Sequence, residues 1–308
     1  MINYSIVIPH KNTPDLLQYC LDSIPVRDDV QVIVVDDNSD ASKVDFNHFP
    51  QWEGSNYEYY LTKEGKGAGY ARNVGLEHMS GKWVLFVDAD DFLLPAVNEI
   101  FDEEKNTDAD IVFFRPRGVM VDDHAASSKR DNAYNELIDN YFDTENETRL
   151  RCFWFSPCSR FFRGSLIRDN SIFFDEIRYS NDNLFSATCG VKAKMIAVRD
   201  KSFYCITESA NSLTSNFMKK PGELSIRADA FFRAQMVLHD YDYQIDEGLA
   251  FDFLRRLFTE EKKMFVINFK RMRKMGYKKT WLLRELFKNN SRKARIKRVL
   301  YAYVVTCF

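Results

Sequence analysis

The 308-residue sequence predicts an α/β fold: a sheet with parallel pairing, flanked by helices, that gives way to a helical extension. Three observations predict it. Apolar runs at Tyr4–Ile8, Val30–Val35 and Lys82–Val87 are rich in β-branched residues and too short for helices, so they read as buried strands. Helical spacing separates them: Leu16, Leu17, Cys20, Leu21 and Ile24 recur over Thr13–Ile24, and a second helix is expected over Gly69–Met79. From Glu223 onward helical patterns dominate, bounded or interrupted by Pro221, Gly248 and Gly276.

The remaining elements follow in order. Pro14 suits an early helical position, where no N–H is needed. Tyr57–Leu61 is expected to add a strand, and Ala109–Phe114 another after a helix that begins near Pro95. The stretch from Cys152 to Cys205 is less regular, with strands expected at Lys194–Val198 and Ser202–Cys205. The polar segment Asp122–Asn132 reads as a surface loop.

Apolar content of 45% against 29% charged residues fits a globular chain and excludes a disordered one. No apolar run reaches the roughly 18 residues of a membrane-spanning helix, and the N-terminus lacks the basic region of a signal peptide. Six cysteines without a C-x-x-C pair or zinc spacing read as reduced thiols, so a cytoplasmic location is expected. The net charge of −2 divides into +14 from Arg255 onward and −16 before it. In that tail Ile296, Val299, Leu300, Tyr303, Val304 and Cys307 share a helical face beside Arg292, Lys293, Arg295, Lys297 and Arg298. Two readings stand for it: a helix packed on the core, or a peripheral segment that binds a membrane surface through apolar insertion and anionic lipid. No nucleic-acid-binding motif accompanies the charge, so nucleic acid is not an expected partner.

Open α/β sheets bind ligands at the carboxyl ends of their strands. Here the first strand ends in Pro9-His10-Lys11-Asn12, the second in Asp36-Asp37-Asn38-Ser39-Asp40, and the third in Asp88-Ala89-Asp90-Asp91. Alone, Asp36–Asp40 reads equally well as a turn with a helix cap, and a D-x-D as a solvated loop. The segment EGKGAGYARN is neither a Walker A loop nor a clean G-x-G-x-x-G, yet it offers Lys66 and Arg72 near a helix N-terminus, where diphosphates are held. Jointly, the acidic clusters and the basic loop suit a nucleotide diphosphate with a hard cation, Mn²⁺ or Mg²⁺. Such an ion would hold together carboxylates that otherwise repel.

The series SIVIPHKN, VIVVDDNSD and GAGYARNVGLEHMSGKWVLFVDADDFL resembles the N-terminal half of family-2 glycosyltransferases of the GT-A fold, over residues 3–100. A weaker resemblance, through SPCSRFFRGSLIRDNSIFFDE and YSNDNLFSATCGVKAKMIAV, extends it to about residue 215. The resemblance implies a Rossmann-like mixed sheet flanked by helices in residues 1–215. Residues 1–115 would form the nucleotide-sugar half, 116–215 the acceptor half, and 216–308 a basic helical region.

Carried onto this chain, the resemblance implies that Pro9 and Asn12 open the nucleotide pocket. Asp36 and Asp37 would meet base and ribose, usually of uridine diphosphate, with Arg72 nearby. Asp88, Ala89 and Asp90 would be the D-x-D, with Asp88 and Asp90 as metal ligands. Asp182 falls where the family places its general base, usually after a Glu; Asn181 stands in that Glu position here. Without the motif, Asp182 reads as an acid favoured by a helix dipole, and Asp175 and Glu176 are the next candidates for the base. The implied activity is inverting transfer of a sugar from a UDP-linked donor to a glycan or lipid-linked acceptor of a bacterial surface polysaccharide. A nucleotidyltransferase and a non-catalytic nucleotide- or glycan-binding relative are the alternatives.

Overall fold

The computed structural model describes residues 1–209 and 222–286. The chain opens with β1 (Tyr4–His10), α1 (Pro14–Asp22), β2 (Val30–Asp37), a 3₁₀ turn (Phe46–His48), β3 (Tyr57–Thr62), α2 (Ala68–His78) and β4 (Trp83–Phe86). These four strands lie in the order β3-β2-β1-β4 and pair in parallel. Every residue of β1 and β2 is buried, as expected of central strands covered on both faces. Alternation divides them between two cores. Ile6, Ile8, Val32 and Val34 face one, while Val7, Ile33 and Val35 face the other against α2.

The chain continues through β5 (Phe92–Leu93), α3 (Val97–Glu104), β6 (Ile111–Met120), β7 (Asp123–Ser127), α4 (Asn132–Thr144) and α5 (Thr148–Phe153). Then come β8 (Arg160–Arg163), α6 (Gly164–Asp169), α7 (Asn183–Lys192) and β9 (Ile196–Glu208). β8 runs antiparallel between β4 and β6, β9 pairs in parallel with β6, and β5 closes the far edge against β9. The sheet is therefore mixed, as expected.

After residue 222, α8 (Glu223–Asp240), α9 (Glu247–Glu260), α10 (Lys262–Lys274) and α11 (Lys279–Leu286) share a core built on Phe231, Leu254, Phe265, Phe269 and Leu282. This bundle is not a detached appendage. Ala234 and Leu238 of α8 pack on Cys152, Ala187 and Val191 of α5 and α7. Among the described residues, no helix is long and apolar enough to cross a membrane.

Three local expectations change. The segment expected to be a loop over 122–132 contains β7, because its backbone pairs antiparallel with the end of β6. The two strands expected near residues 194–205 are one strand, β9, which follows β6 through a register shift between Phe114 and Pro116. Gly248 does not interrupt the helices; it lies in the first turn of α9, where Asp246 caps Leu249 N at 2.9 Å. The domain boundary expected near 215 and the apolar face from Ile296 lie outside the described residues.

Candidate active site

Parallel pairing brings the turns after β1, β2 and β4 to one edge. His10 stands in register with Asp36, and its Nδ1 donates to Asp36 Oδ2 at 2.7 Å while its Nε2 accepts from Thr13 N at 3.1 Å. These two bonds select the neutral Nδ1–H tautomer. Ser39 donates to the same carboxylate through N (2.8 Å) and Oγ (2.6 Å). Burial pushes the Asp36 carboxyl up, but the bonds from His10 and Ser39 outweigh it and hold the group below its usual range. Asp36 is buried, braces the turn from beneath and lines neither of the two cavities described below. Asn12 is a brace as well. With φ at 62°, it accepts from Asp40 N through Oδ1, while its own N donates to Ser39 Oγ, both at 2.7 Å.

Above these turns lies a recess of about 560 Å³ lined by Pro9, Lys11, Asp37, Lys66, Gly67 and Arg178, among others. Asp37 Oδ2 accepts from Gly67 N at 2.9 Å and from Lys11 Nζ at 3.3 Å, whereas Oδ1 is buried with no partner among the described residues. A buried acceptor without a donor is a place for a ligand N–H or hydroxyl. Gly67 adopts φ 100°, a left-handed conformation that glycine supplies without strain, and so turns the chain into α2.

The adjoining cavity, about 950 Å³, is lined by Arg72, Asp88, Ala89, Asp90, Asn181 and Asp182, with Pro9, Arg178 and Arg227 at its margins. Arg72 is the hinge of the arrangement. It is 5% exposed, donates through NH2 to Asp88 Oδ1 at 2.6 Å and through NH1 to Asn181 Oδ1 at 3.0 Å, and lies over the Phe174 ring. One guanidinium thus ties the D-x-D turn to the segment before α7. Asp90 reaches solvent inside the cavity; the protein around it, and then the charge of Asp88, push its carboxyl up. Asp91 turns inward, accepting from Tyr204 Oη and Thr207 N, both at 2.7 Å. Burial and the neighbouring Asp90 and Asp88 push it well above the carboxylate range.

Asp182 occupies the N-cap of α7, yet its side chain makes no capping bond, so its carboxylate is not spent on the helix. It lines the cavity. Burial raises its pKa, Asp88 adds to that, and Arg72 and Arg160 oppose it. Asp175 and Glu176 line neither cavity: Asp175 Oδ1 pairs with Arg233 of α8 at 2.6 Å, and Glu176 Oε2 with Lys66 at 3.3 Å. The segment 175–182 also packs against the start of α2 so closely that a Cβ at Gly69 would lie 2.1 Å from Asp175 O. That contact explains the glycine.

Asp88, Asp91 and Cys158 bring potential metal-ligand atoms within 4.8 Å of one another. The set does not suit a hard cation, because burial keeps Cys158 a neutral thiol and Asp91 is bound to Tyr204 and Thr207. Asp88 and Asp90 do suit one: both are carboxylates on the cavity wall, with the Asp88 side chain 37% exposed.

Four further residues escaped the sequence reading. His10 sits inside a recognised motif, where only the register with Asp36 reveals its role. Arg178 lines both cavities, and Arg227 of α8 donates to Ser180 Oγ at 3.3 Å. Arg160 is buried among Phe113, Trp154 and Phe162, donates to Ser156 O and to Ser186 Oγ, and has no carboxylate within salt-bridge distance among the described residues. Nothing in SRFFR distinguishes that arginine from a surface one.

A mixed sheet whose parallel strands gather acidic turns at one edge, beside a basic helix start and a facing carboxylate, defines a GT-A transferase. The chain belongs to glycosyl transferase family 2, whose profile it matches over residues 5–170. It is 29% identical over 213 residues to a poly(ribitol-phosphate) β-glucosyltransferase of Bacillus spizizenii, covering 66% of this chain and 32% of the relative. It is 24% identical over 269 residues to TarS of Staphylococcus aureus, a poly(ribitol-phosphate) β-N-acetylglucosaminyltransferase, covering 84% of this chain and 45% of TarS. The chain therefore spans less than half the length of these relatives. The crystal structure of TarS 1–349 with UDP-GlcNAc superposes with a TM-score of 0.61, at 21% identity, over 87% of this chain and 79% of that one. The mannosyltransferase PcManGT of Pyrobaculum calidifontis, solved with GDP-Man and Mn²⁺, gives 0.51 at 16% identity, over 98% of this chain and 80% of that one.

Proposed function

We propose that the chain moves a sugar from a UDP-linked donor to a hydroxyl of a bacterial surface glycan or its lipid-linked precursor, by a single displacement with inversion. The observation that carries this reading is one cavity lined together by Asp88, Asp90, Arg72 and Asp182. The nucleotide would lie in the adjoining recess, where Asp37 has an open acceptor and Lys11, Lys66 and Arg178 supply positive charge. The UDP-GlcNAc held by TarS in the same fold supports a uridine donor.

Asp88 and Asp90 would hold Mn²⁺ or Mg²⁺, an ion that neutralises charge on a departing diphosphate. Arg72, already poised on Asp88, adds a fixed positive charge beside that oxygen set. Asp182 takes the proton of the acceptor hydroxyl. Its raised pKa makes it a stronger base than an exposed aspartate. It comes from the segment before α7, whereas Asp88 and Asp90 come from the turn after β4. Proton acceptor and leaving-group ligands thus come from separate segments around one cavity, an arrangement compatible with in-line displacement.

In this reading the enzyme works at the cytoplasmic face of the membrane. Those of Arg292, Lys293, Arg295, Lys297 and Arg298 that reach anionic lipid would each contribute about 1 kcal/mol. The test incubates the full chain with UDP-glucose or UDP-GlcNAc, Mn²⁺ and a surface-glycan acceptor, and reads product linkage by NMR. Release of UDP with an inverted anomeric centre is expected. Released pyrophosphate, or a retained configuration, would overturn the reading.

A further inference from the structure

We propose that a second recess, on the outer side of the first turn of α1, is a saccharide site that holds a neutral stretch of glycan. The inference deepens the glycosyltransferase reading and rests on it for its purpose, although not for its geometry.

This recess, about 620 Å³, is formed by Pro14, Asp15 and Gln18 of α1, the 3₁₀ turn with its continuation to Gln51, and Tyr59 of β3. Three rings run through it. Phe46 and Phe49 lie 6.2 Å apart at 5°, and Phe49 and Tyr59 lie 5.2 Å apart at 25°. Phe49 is buried, whereas Phe46 and Tyr59 remain 36% and 46% exposed. Tyr59 packs one side on Phe49 and neighbours Tyr57, yet nearly half of it stays open to solvent. β3 is the sheet's edge strand, and exposed positions on such strands usually carry charge.

Polar groups surround the rings. The Asp15 carboxylate, the Asn47 amide and the Tyr59 hydroxyl have no hydrogen bond among the described residues. Gln18 and Gln51 clip the rim in place, with Gln18 Nε2 donating to Gln51 O at 2.9 Å and Gln51 N donating to Gln18 Oε1 at 3.1 Å. Exposed ring faces beside unspent donors and acceptors match a pyranose, whose C–H face packs on an aromatic ring while its hydroxyls bond at the edge. Charge selects among saccharides. Asp15 lies in the wall and no lysine or arginine does, so the site suits a neutral sugar and disfavours a phosphate or a nucleotide.

Position gives the site its use. Thr13 and Leu16 line the catalytic cavity, while Pro14, Asp15 and Gln18 of the same helical turn line this recess. A glycan whose end lies in one can rest its preceding sugars in the other, which would retain a growing acceptor.

The experiment titrates the full chain by calorimetry with cellotetraose, chitotetraose and, separately, UDP. At least one tetrasaccharide should bind in the millimolar range, and Phe46→Ala with Tyr59→Ala should weaken it about tenfold or more while UDP binding stays unchanged. Asp15→Asn, which keeps the rings, should weaken it less. Unchanged UDP binding also shows that the variants are folded. The proposal is overturned if neither tetrasaccharide binds, or if binding persists in the double variant. It is equally overturned if light scattering shows a dimer that the double variant dissociates, since the face would then meet a second copy. Failure of wild-type chain to bind UDP would instead strike the proposed function.

Discussion

On the strand side of the cavity, the turns after β1 and β2 are held by bonds between two adjacent segments: His10 to Asp36, Asn12 to Ser39 and Asp40, and Lys11 to Asp37. On the facing side, residues 175–182 owe their place to distant partners. Arg72 comes from α2, and Arg227 and Arg233 from α8. The difference teaches that the helical bundle helps hold the candidate site in place. The donor side is braced within the sheet, whereas the segment that carries Asp182 is clamped between that sheet and the bundle.

The largest expected effect lies where the two sides share a charge. Asp90→Asn, or chelation with EDTA, should lower transfer by roughly 10²–10³-fold, with Mn²⁺ restoring the wild type after EDTA. Full activity in EDTA would remove the cation from the account. Next comes the bridge itself. Arg72→Lys should cost about 10²-fold in transfer, because one ammonium cannot span Asp88 and Asn181 as a guanidinium fork does. Rescue of activity by lysine would show that only charge matters there.

A crossed pair then tests the division. Arg233→Ala frees Asp175 and should lower kcat/KM by about tenfold, roughly 1.4 kcal/mol, without weakening UDP binding. His10→Ala removes a donor from buried Asp36, so it should cost about 1–3 kcal/mol of stability and weaken UDP. If both variants weaken UDP alike, the two sides are not independently braced.

The smallest effect is on stability against pH. Asp90 has a folded pKa above its unfolded one, so its favourable contribution is complete below about pH 4 and is lost as pH rises through the folded value. Without metal, Asp90→Asn should therefore gain Tm relative to wild type as pH rises from about 4 to 7. A gap that stays constant or shrinks would contradict the shift.

The strand side was legible because its signals are local. Four short motifs carry PHKN, DDNSD, GAG and DAD, and parallel pairing gathers their positions without further information. Even there, the reading could not tell that Asp36 is a brace while Asp37 lines the recess, since both end the same strand and are equally buried, and only their hydrogen-bond partners separate them. The facing side was legible only through Asp182. Arg227 and Arg233 are helix residues like any others until the bundle packs on α7. The continuous β9 escaped for a similar reason, since its partner β6 is many residues away in sequence, whereas β7 escaped because its polar residues hide a short hairpin with the end of β6.

The central claim is that Asp182 is a base poised opposite the Asp88–Asp90 turn. It is tested most directly by Asp182→Asn, which keeps the shape and removes proton acceptance. UDP binding by calorimetry and sugar transfer should be measured on the same preparation. The account predicts unchanged UDP affinity with transfer lowered by about 10²-fold or more. Transfer at the wild-type rate in that variant would contradict it.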